Sequence, residues 1–139
     1  MICLVVFRLQ GIEHAVPVGD VVEVVRMVAI TPVAETPPWL SGVIDLRGRV
    51  IPVIDLRRRL GMVPREPDLS TPILVVEGNG VTAGLVADEV VEVLALAAEG
   101  PAAPASAIRY GERLLLVLDI DRICAGAAEL ALGVDRRAG

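Results

Sequence analysis

The chain has 139 residues, 54% of them hydrophobic, 22% charged and 2% aromatic, with a mean hydropathy of +0.65; it falls within the size of one domain and far from the low-hydrophobicity, high-charge regime of disorder. Its 13 basic residues are all arginine, against 18 acidic residues and a net charge of −5, which excludes a Schiff-base lysine and a P-loop. The same balance lacks the basic stripe and stacking rings of a nucleic-acid binder, so it favours protein partners.

In chain order, the β-branched run Ile2 to Leu9, the turn Gln10 to Glu13 and the run His14 to Val18 predict a hairpin. Asp20 is placed to cap a short turn before a valine-rich strand from Val21 to Val28. Pro32, Pro37 and Pro38 then mark a surface connection, and Trp39 closes it by packing the loop onto the core. Val43-Ile44-Asp45-Leu46-Arg47 is echoed by Val53-Ile54-Asp55-Leu56-Arg57. Such close spacing fits two strands folded about Arg47-Gly48 rather than a solenoid repeat of ~20 residues or more. Asp55 is a candidate cap for one helical turn that Gly61 stops.

Strands are predicted at Pro72 to Val76 and Val81 to Val86 around a Glu77-Gly78-Asn79-Gly80 turn, and another apolar run covers Val90 to Leu96. The Ala, Pro and Gly-rich segment 97–107 reads as a loop. A last hairpin joins Ile108 to Tyr110 with Leu114 to Leu118 through Gly111-Glu112. Asp119 or Asp121 then caps a terminal helix to about Leu132, whose Ile123, Ala127 and Leu130 share a face. Residues 1–134 form one domain and 135–139 a polar tail. Short strands with regular turn signals predict a mostly β fold of the barrel or sandwich kind.

Arg8, Glu13, Asp20, Glu23 and Arg26 interrupt the opening apolar stretch, so no run reaches the ~18–20 residues of a membrane span. The start has neither a basic n-region nor a small-residue cleavage site, and the expected location is the cytoplasm.

Few residues could carry chemistry. Asp45 and Asp55 could form an acid pair for a small acid-dependent hydrolase, or one could be a salt-bridge partner and the other a helix cap. Cys3 and Cys124 are too few and too far apart for a metal site, and are expected to be buried thiols. His14 has no nucleophile motif near it and is a bystander. Gly78-Asn79-Gly80 turns the chain without a phosphate-loop pattern, and Arg57-Arg58-Arg59 is expected to be a solvated face. No cofactor, metal or catalytic set is expected, and binding is the reading left, of a protein or of a small molecule within a β-barrel.

The stretch from Pro37-Pro38-Trp39 through Gly42, Leu46-Arg47-Gly48, Pro52 and Asp55-Leu56 to Arg57 resembles the CheW chemotaxis coupling-protein family. The resemblance implies two small five-stranded β-barrels packed through a shared hydrophobic core. It also implies a non-enzymatic adaptor between the cytoplasmic helical tip of chemoreceptors and the regulatory domain of a chemotaxis histidine kinase, or an adaptor of a twitching or developmental pathway. Glu23 and Arg47 align with a charge pair bordering the family's receptor-binding groove, Val21 and Val93 with apolar positions of that groove, and Gly42 with a motif glycine there. Gly48, Pro52 and Asp55 are its structural motif positions; Gly48 serves a turn and Pro52 an edge or bulge. Between Asp88 and Arg113 the chain is shorter than typical members, in a region where some of the family's kinase contacts lie.

Overall fold

Gln10-Gly11, Arg47-Gly48 and Asn79-Gly80 each hold positive φ at both residues: 53 and 75°, 52 and 85°, 54 and 75°. That conformation makes two-residue hairpins whose twist matches the flanking strands. In the computed structural model, which describes residues 1–97 and 107–127, they join β1 (Ile2–Leu9) to β2 (Ile12–Pro17), β4 (Leu40–Leu46) to β5 (Arg49–Asp55), and β6 (Pro72–Gly78) to β7 (Val81–Val86). A 3₁₀ turn at Val18–Asp20 leads to β3 (Val21–Arg26), and α1 (Leu56–Arg59) follows β5. The remaining elements are β8 (Glu89–Leu96), β9 (Ala107–Tyr110), β10 (Arg113–Val117) and α2 (Ile120–Ile123).

The strands form two five-stranded sheets, ordered β8-β1-β2-β10-β9 and β3-β6-β7-β5-β4. Each is antiparallel except for one parallel pair, β2 with β10 and β5 with β7. The fold is mostly β, as expected, but the barrels are open. Among the described residues no ladder joins β8 to β9 or β3 to β4.

Burial explains the unbroken apolar runs. Leu4 and Val6 of β1 pack inside the first sheet with Ala15, Leu94 and Leu115, whereas Val5, Phe7 and Leu9 face the second sheet. In β6, Ile73 and Val75 pack inside the second sheet, while Leu74 and Val76 join Val5 and Phe7 in the shared core. A strand buried on both faces loses the apolar-polar alternation. Each fully buried aliphatic side chain contributes about 1.5–3 kcal/mol.

The two sheets are copies of one plan. Leu4–Val25 overlays Ile73–Leu94 without a gap, pairing Gly11 with Gly80 and Val21-Val22-Glu23-Val24 with Val90-Val91-Glu92-Val93. The helices correspond as well: Asp55 caps α1 through the amide of Arg58, and Asp119 caps α2 through those of Asp121 and Arg122. Turns and helices then join the sheets crosswise. The Gln10 amide of the first sheet donates to Asp88 Oδ2 at 2.8 Å, which Arg57 of α1 also engages. The Asn79 amide of the second sheet donates to Asp121 Oδ1 of α2 at 2.7 Å.

Several expectations change. β2 begins at Ile12, β6 runs on to Gly78, and β3 ends at Arg26, where pairing with β6 stops at Pro72. Asp20 ends the 3₁₀ turn instead of capping it. Pro52 is buried in an interior strand, neither at an edge nor in a bulge. Val43 exchanges both its backbone hydrogen bonds with Thr31 on the far side of β4, so Pro52 opposite it faces β7, and pairing with β7 begins only at Val53. Cys3 is exposed, because the first residues of β1 lie beyond both cores, whereas Cys124 is buried. The arginine run is no uniform solvated face: Arg57 is paired, Arg58 is exposed, and Arg59 stacks 5.0 Å over Trp39 while donating to the carbonyls of Arg122 and Ile123. The terminal helix lasts one turn and continues as turns to Ala127, with Gly126 at φ 90° against Trp39. Ile123 and Ala127 are buried; Leu130 and the tail lie outside the described residues.

Gly42 and Gly48 both hold positive φ, but a Cβ at Gly42 would lie 2.2 Å from the Thr31 carbonyl oxygen, while one at Gly48 meets open space. In denaturant unfolding, Gly42→Ala should therefore cost about 3 kcal/mol or more, through overpacking against backbone, and Gly48→Ala about 1 kcal/mol of left-handed strain. Equal losses would contradict this packing.

Asp88 supplies a pH test. Burial pushes its carboxyl up, but the Arg57 hydrogen bonds, the Gln10 amide and the charges of Arg57 and Arg65 outweigh that and hold it below its ordinary value. A depressed carboxyl stabilises the fold above its unfolded value, near ~3.9, and loses that contribution as pH falls through the lower folded value. Asp88→Asn should be less stable by about 2 kcal/mol at pH 7, with some solvent access to the pair moderating the loss. Its stability should fall less steeply below about pH 4 than the parent's. Parallel acid limbs in thermal melts would contradict the assignment.

Candidate functional site

β3 and β8 are edge strands of the second and first sheet, each with one hydrogen-bonded neighbour. Along β3, Val21, Glu23 and Val25 are half-buried while Val22, Val24 and Arg26 are exposed. Val21 packs against the shared core and Val25 against the inner core of the second sheet. This leaves Val22 and Val24 on a solvent-facing edge without apolar cover.

Glu23 reaches Arg47, which the β4–β5 turn projects toward it. Arg47 Nη2 donates to Oε1 at 2.7 Å and Nη1 donates to Oε2, forming a two-pronged fork. The fork holds the Glu23 carboxyl below its usual range and raises the Arg47 guanidinium. Arg47 is 71% exposed and Glu23 25%, so the pair is presented to solvent with its geometry already set. Surface pairs of this kind contribute little to folding but can orient a docking partner. The first sheet has a counterpart: Glu92 lies 3.1 Å from Arg113, which also forks onto Glu13 at 2.8 and 2.9 Å.

Between the second half of β3 and the start of β8 runs an open groove of about 900 Å³. Val24 and Arg26 form one wall; Arg65, Asp88, Glu89 and Val90 lie along the other. Asp88 is engaged by Arg57 and Glu89 by Arg8. The lining is more polar than apolar, with Arg8, Arg26, Arg65, Ser70, Asp88 and Glu89 around Val24, Val25 and Val90, and it suits an elongated protein segment that carries charged as well as apolar side chains.

Among the described residues no reaction centre accompanies it. Asp45 Oδ1 accepts from the Gly48 amide within its own hairpin, whereas Asp55 caps α1 and meets Arg58 at 3.4 Å. Asp45 stands opposite Val50, five residues before Asp55 on β5, so the two are about 17 Å apart along the strand and cannot share a proton. Among the described residues no three His, Cys, Asp or Glu side chains are placed to hold a metal. Burial, then the Asp121 charge, push the Cys124 thiol up to about 11. His14 is buried, stacked on Phe7 and hydrogen-bonded to the Ile12 carbonyl. Burial lowers its pKa and keeps it neutral near pH 7.

Of the residues expected at a receptor site, Glu23 and Arg47 are in direct contact, with Val21 on the same strand. Gly42 lies under Thr31, where it has a packing role. Val93 is 63% exposed on β8 of the other sheet. Gly48 occupies its turn and Asp55 its cap, as expected. The groove walls at Val24, Arg26, Arg65 and Asp88 were not among the expected site residues. The repeated Val-Val-Glu-Val of β3 and β8 is the signal that pairs these two edges.

The CheW-like domain family pattern matches residues 4–128. A relative from Rhizobium etli, described as "Probable chemotaxis protein CheW", is 33% identical over 125 residues, covering 87% of this chain and 81% of its own. The chemotaxis protein CheW of Klebsiella aerogenes is 32% identical over 139 residues, covering 91% and 83%. Among solved structures, the scaffolding protein TtCheW from Thermoanaerobacter tengcongensis superposes with a TM-score of 0.79 at 31% identity, covering 89% of this chain and 92% of that one. The chain belongs to the CheW-like domain family, a family of coupling and scaffold proteins rather than enzymes.

Proposed function

We propose that this scaffold couples the cytoplasmic tip of transmembrane chemoreceptors to the regulatory domain of a chemotaxis histidine kinase, and that it works in the cytoplasm. The receptor's helical tip lies along β3 and the groove toward β8, with its apolar face on Val22, Val24 and Val93 and its polar flank at the Glu23–Arg47 fork. The kinase domain takes the end of a sheet away from this groove. The observation that carries the reading is the exposed fork on β3, whose Glu23 shares a strand face with Val25 of the groove lining. A helix laid into a groove is held by apolar anchors at helical spacing, and fixed charges at the rim select its orientation.

A hydrolase is not supported, because Asp45 and Asp55 have separate structural tasks.

The test measures binding of a purified chemoreceptor signalling-tip fragment beside thermal melts. Glu23→Gln and Arg47→Gln should each weaken binding about tenfold or more while leaving the melting temperature near the parent's, as expected when an interface charge loses its mate. The exchange Glu23→Arg with Arg47→Glu should recover part of the affinity by restoring the attraction. Losses of stability matching the losses of affinity would reduce the fork to a brace between strands. Undiminished binding in both single variants would remove it from the site.

A further inference from the structure

Asp88 lies in the short link between β7 of the second sheet and β8 of the first. Its carboxylate accepts from the Gln10 amide at 2.8 Å on the first-sheet side, and from Arg57 Nε at 3.0 Å and Nη2 at 2.5 Å on the second-sheet side. The Asp88 amide donates to the Arg8 carbonyl at 3.0 Å, and the Ala87 amide to the Pro72 carbonyl at the start of β6 at 3.2 Å. Arg57 is itself steadied by donating to the Val63 carbonyl at 3.0 Å. Both side chains are largely buried, 11% and 16% exposed.

The corresponding joint at the other turn is built differently. There the Asn79 amide meets Asp121, and Arg59 of α1 donates to the Arg122 and Ile123 carbonyls of α2. Its carboxylates crowd one another: burial, followed by the Asp121 and Asp119 charges, raises the pKa of Asp20. Beside the shared core and the Arg59 bonds, Asp88 is the turn joint at which a forked guanidinium–carboxylate pair ties the sheets together.

The geometry points to Arg57 and Asp88 as positioning residues that set the separation of β3 from β8, and with it the width of the groove. β8 continues directly from Asp88, while β3 is held by β6, next to the Ala87–Pro72 bond. Without the Arg57 fork, the start of β8 keeps its ties to Gln10 and Arg8 and follows the first sheet, away from α1 and β3. Arg57 does not line the groove; its influence passes through Asp88, which does.

Double electron–electron resonance reads this separation directly. Spin labels go on Val22→Cys of β3 and Val93→Cys of β8, both exposed, in a full-length Cys3→Ser background with Cys124 left buried. The parent should give one narrow distance distribution. Asp88→Asn should shift and broaden it, and Arg57→Lys, which keeps the charge but loses the fork, should do so to a smaller degree. Asp88→Glu should restore much of the narrowness. The affinity arm rests on the receptor reading: binding of the signalling-tip fragment should fall about tenfold in Asp88→Asn and recover in part in Asp88→Glu. Unchanged distances in Asp88→Asn and Arg57→Lys, with lowered melting temperatures, would overturn the positioning role and leave a merely stabilising pair. Broadened distances with undiminished fragment binding would uphold the positioning role and count against the receptor assignment of the groove.

Discussion

β1 and β6 are each buried on both faces, and the layout of both sheets follows from that. Phe7 and Val76 cannot leave water unless the two sheets face each other, and Val6 and Val75 cannot unless each sheet curls over its own inner cluster. One alternation of side chains thus generates three adjoining cores. It also explains how a chain of 139 residues with a single Trp, Tyr and Phe holds ten described strands together. Aliphatic residues supply the buried area, and the pleat divides it among the cores.

Two nearly equivalent halves around a shared core bring two of the four sheet edges, β3 and β8, to the flanks of one groove. Its charges are already arranged: Asp88 and Glu89 are matched with Arg57 and Arg8, and Glu23 is forked by Arg47. A scaffold needs surfaces that hold their shape before a partner arrives, since ordering a surface on binding subtracts from affinity. The fork and the Asp88 joint provide this at the rim and at the root of the groove.

Much of the architecture is legible in the sequence because its signals are local. Arg47-Gly48 and Asn79-Gly80 announce turns, Asp55 and Asp119 precede the helical turns they cap, and the proline-rich stretch before Trp39 reads as a connection. The family likeness adds the paired five-stranded halves and the Glu23–Arg47 pair. What stays hidden depends on distant partners. Arg57 meets Asp88, and Arg59 meets Trp39 and the carbonyls of α2, none of which the run Arg57-Arg58-Arg59 indicates. Cys3 sits in an apolar run yet is exposed, because the cores begin at Leu4. The terminal helix stops early because Gly126 turns left-handed beneath Trp39, a contact no helical periodicity contains. Openness of the sheets is likewise a property of ladders that fail to close.

The proposed seat of a receptor's helical tip is the groove between the β3 and β8 edges. Amide chemical shifts of the isotope-labelled full chain, titrated with a purified chemoreceptor signalling-tip fragment, test it most directly. Docking there should give saturable shifts concentrated at 21–26, 46–49 and 88–93, with the Asn79-Gly80 turn and 120–127 unmoved. Shifts confined to that turn and 120–127, or none in β3 and β8 at saturating fragment, would contradict it.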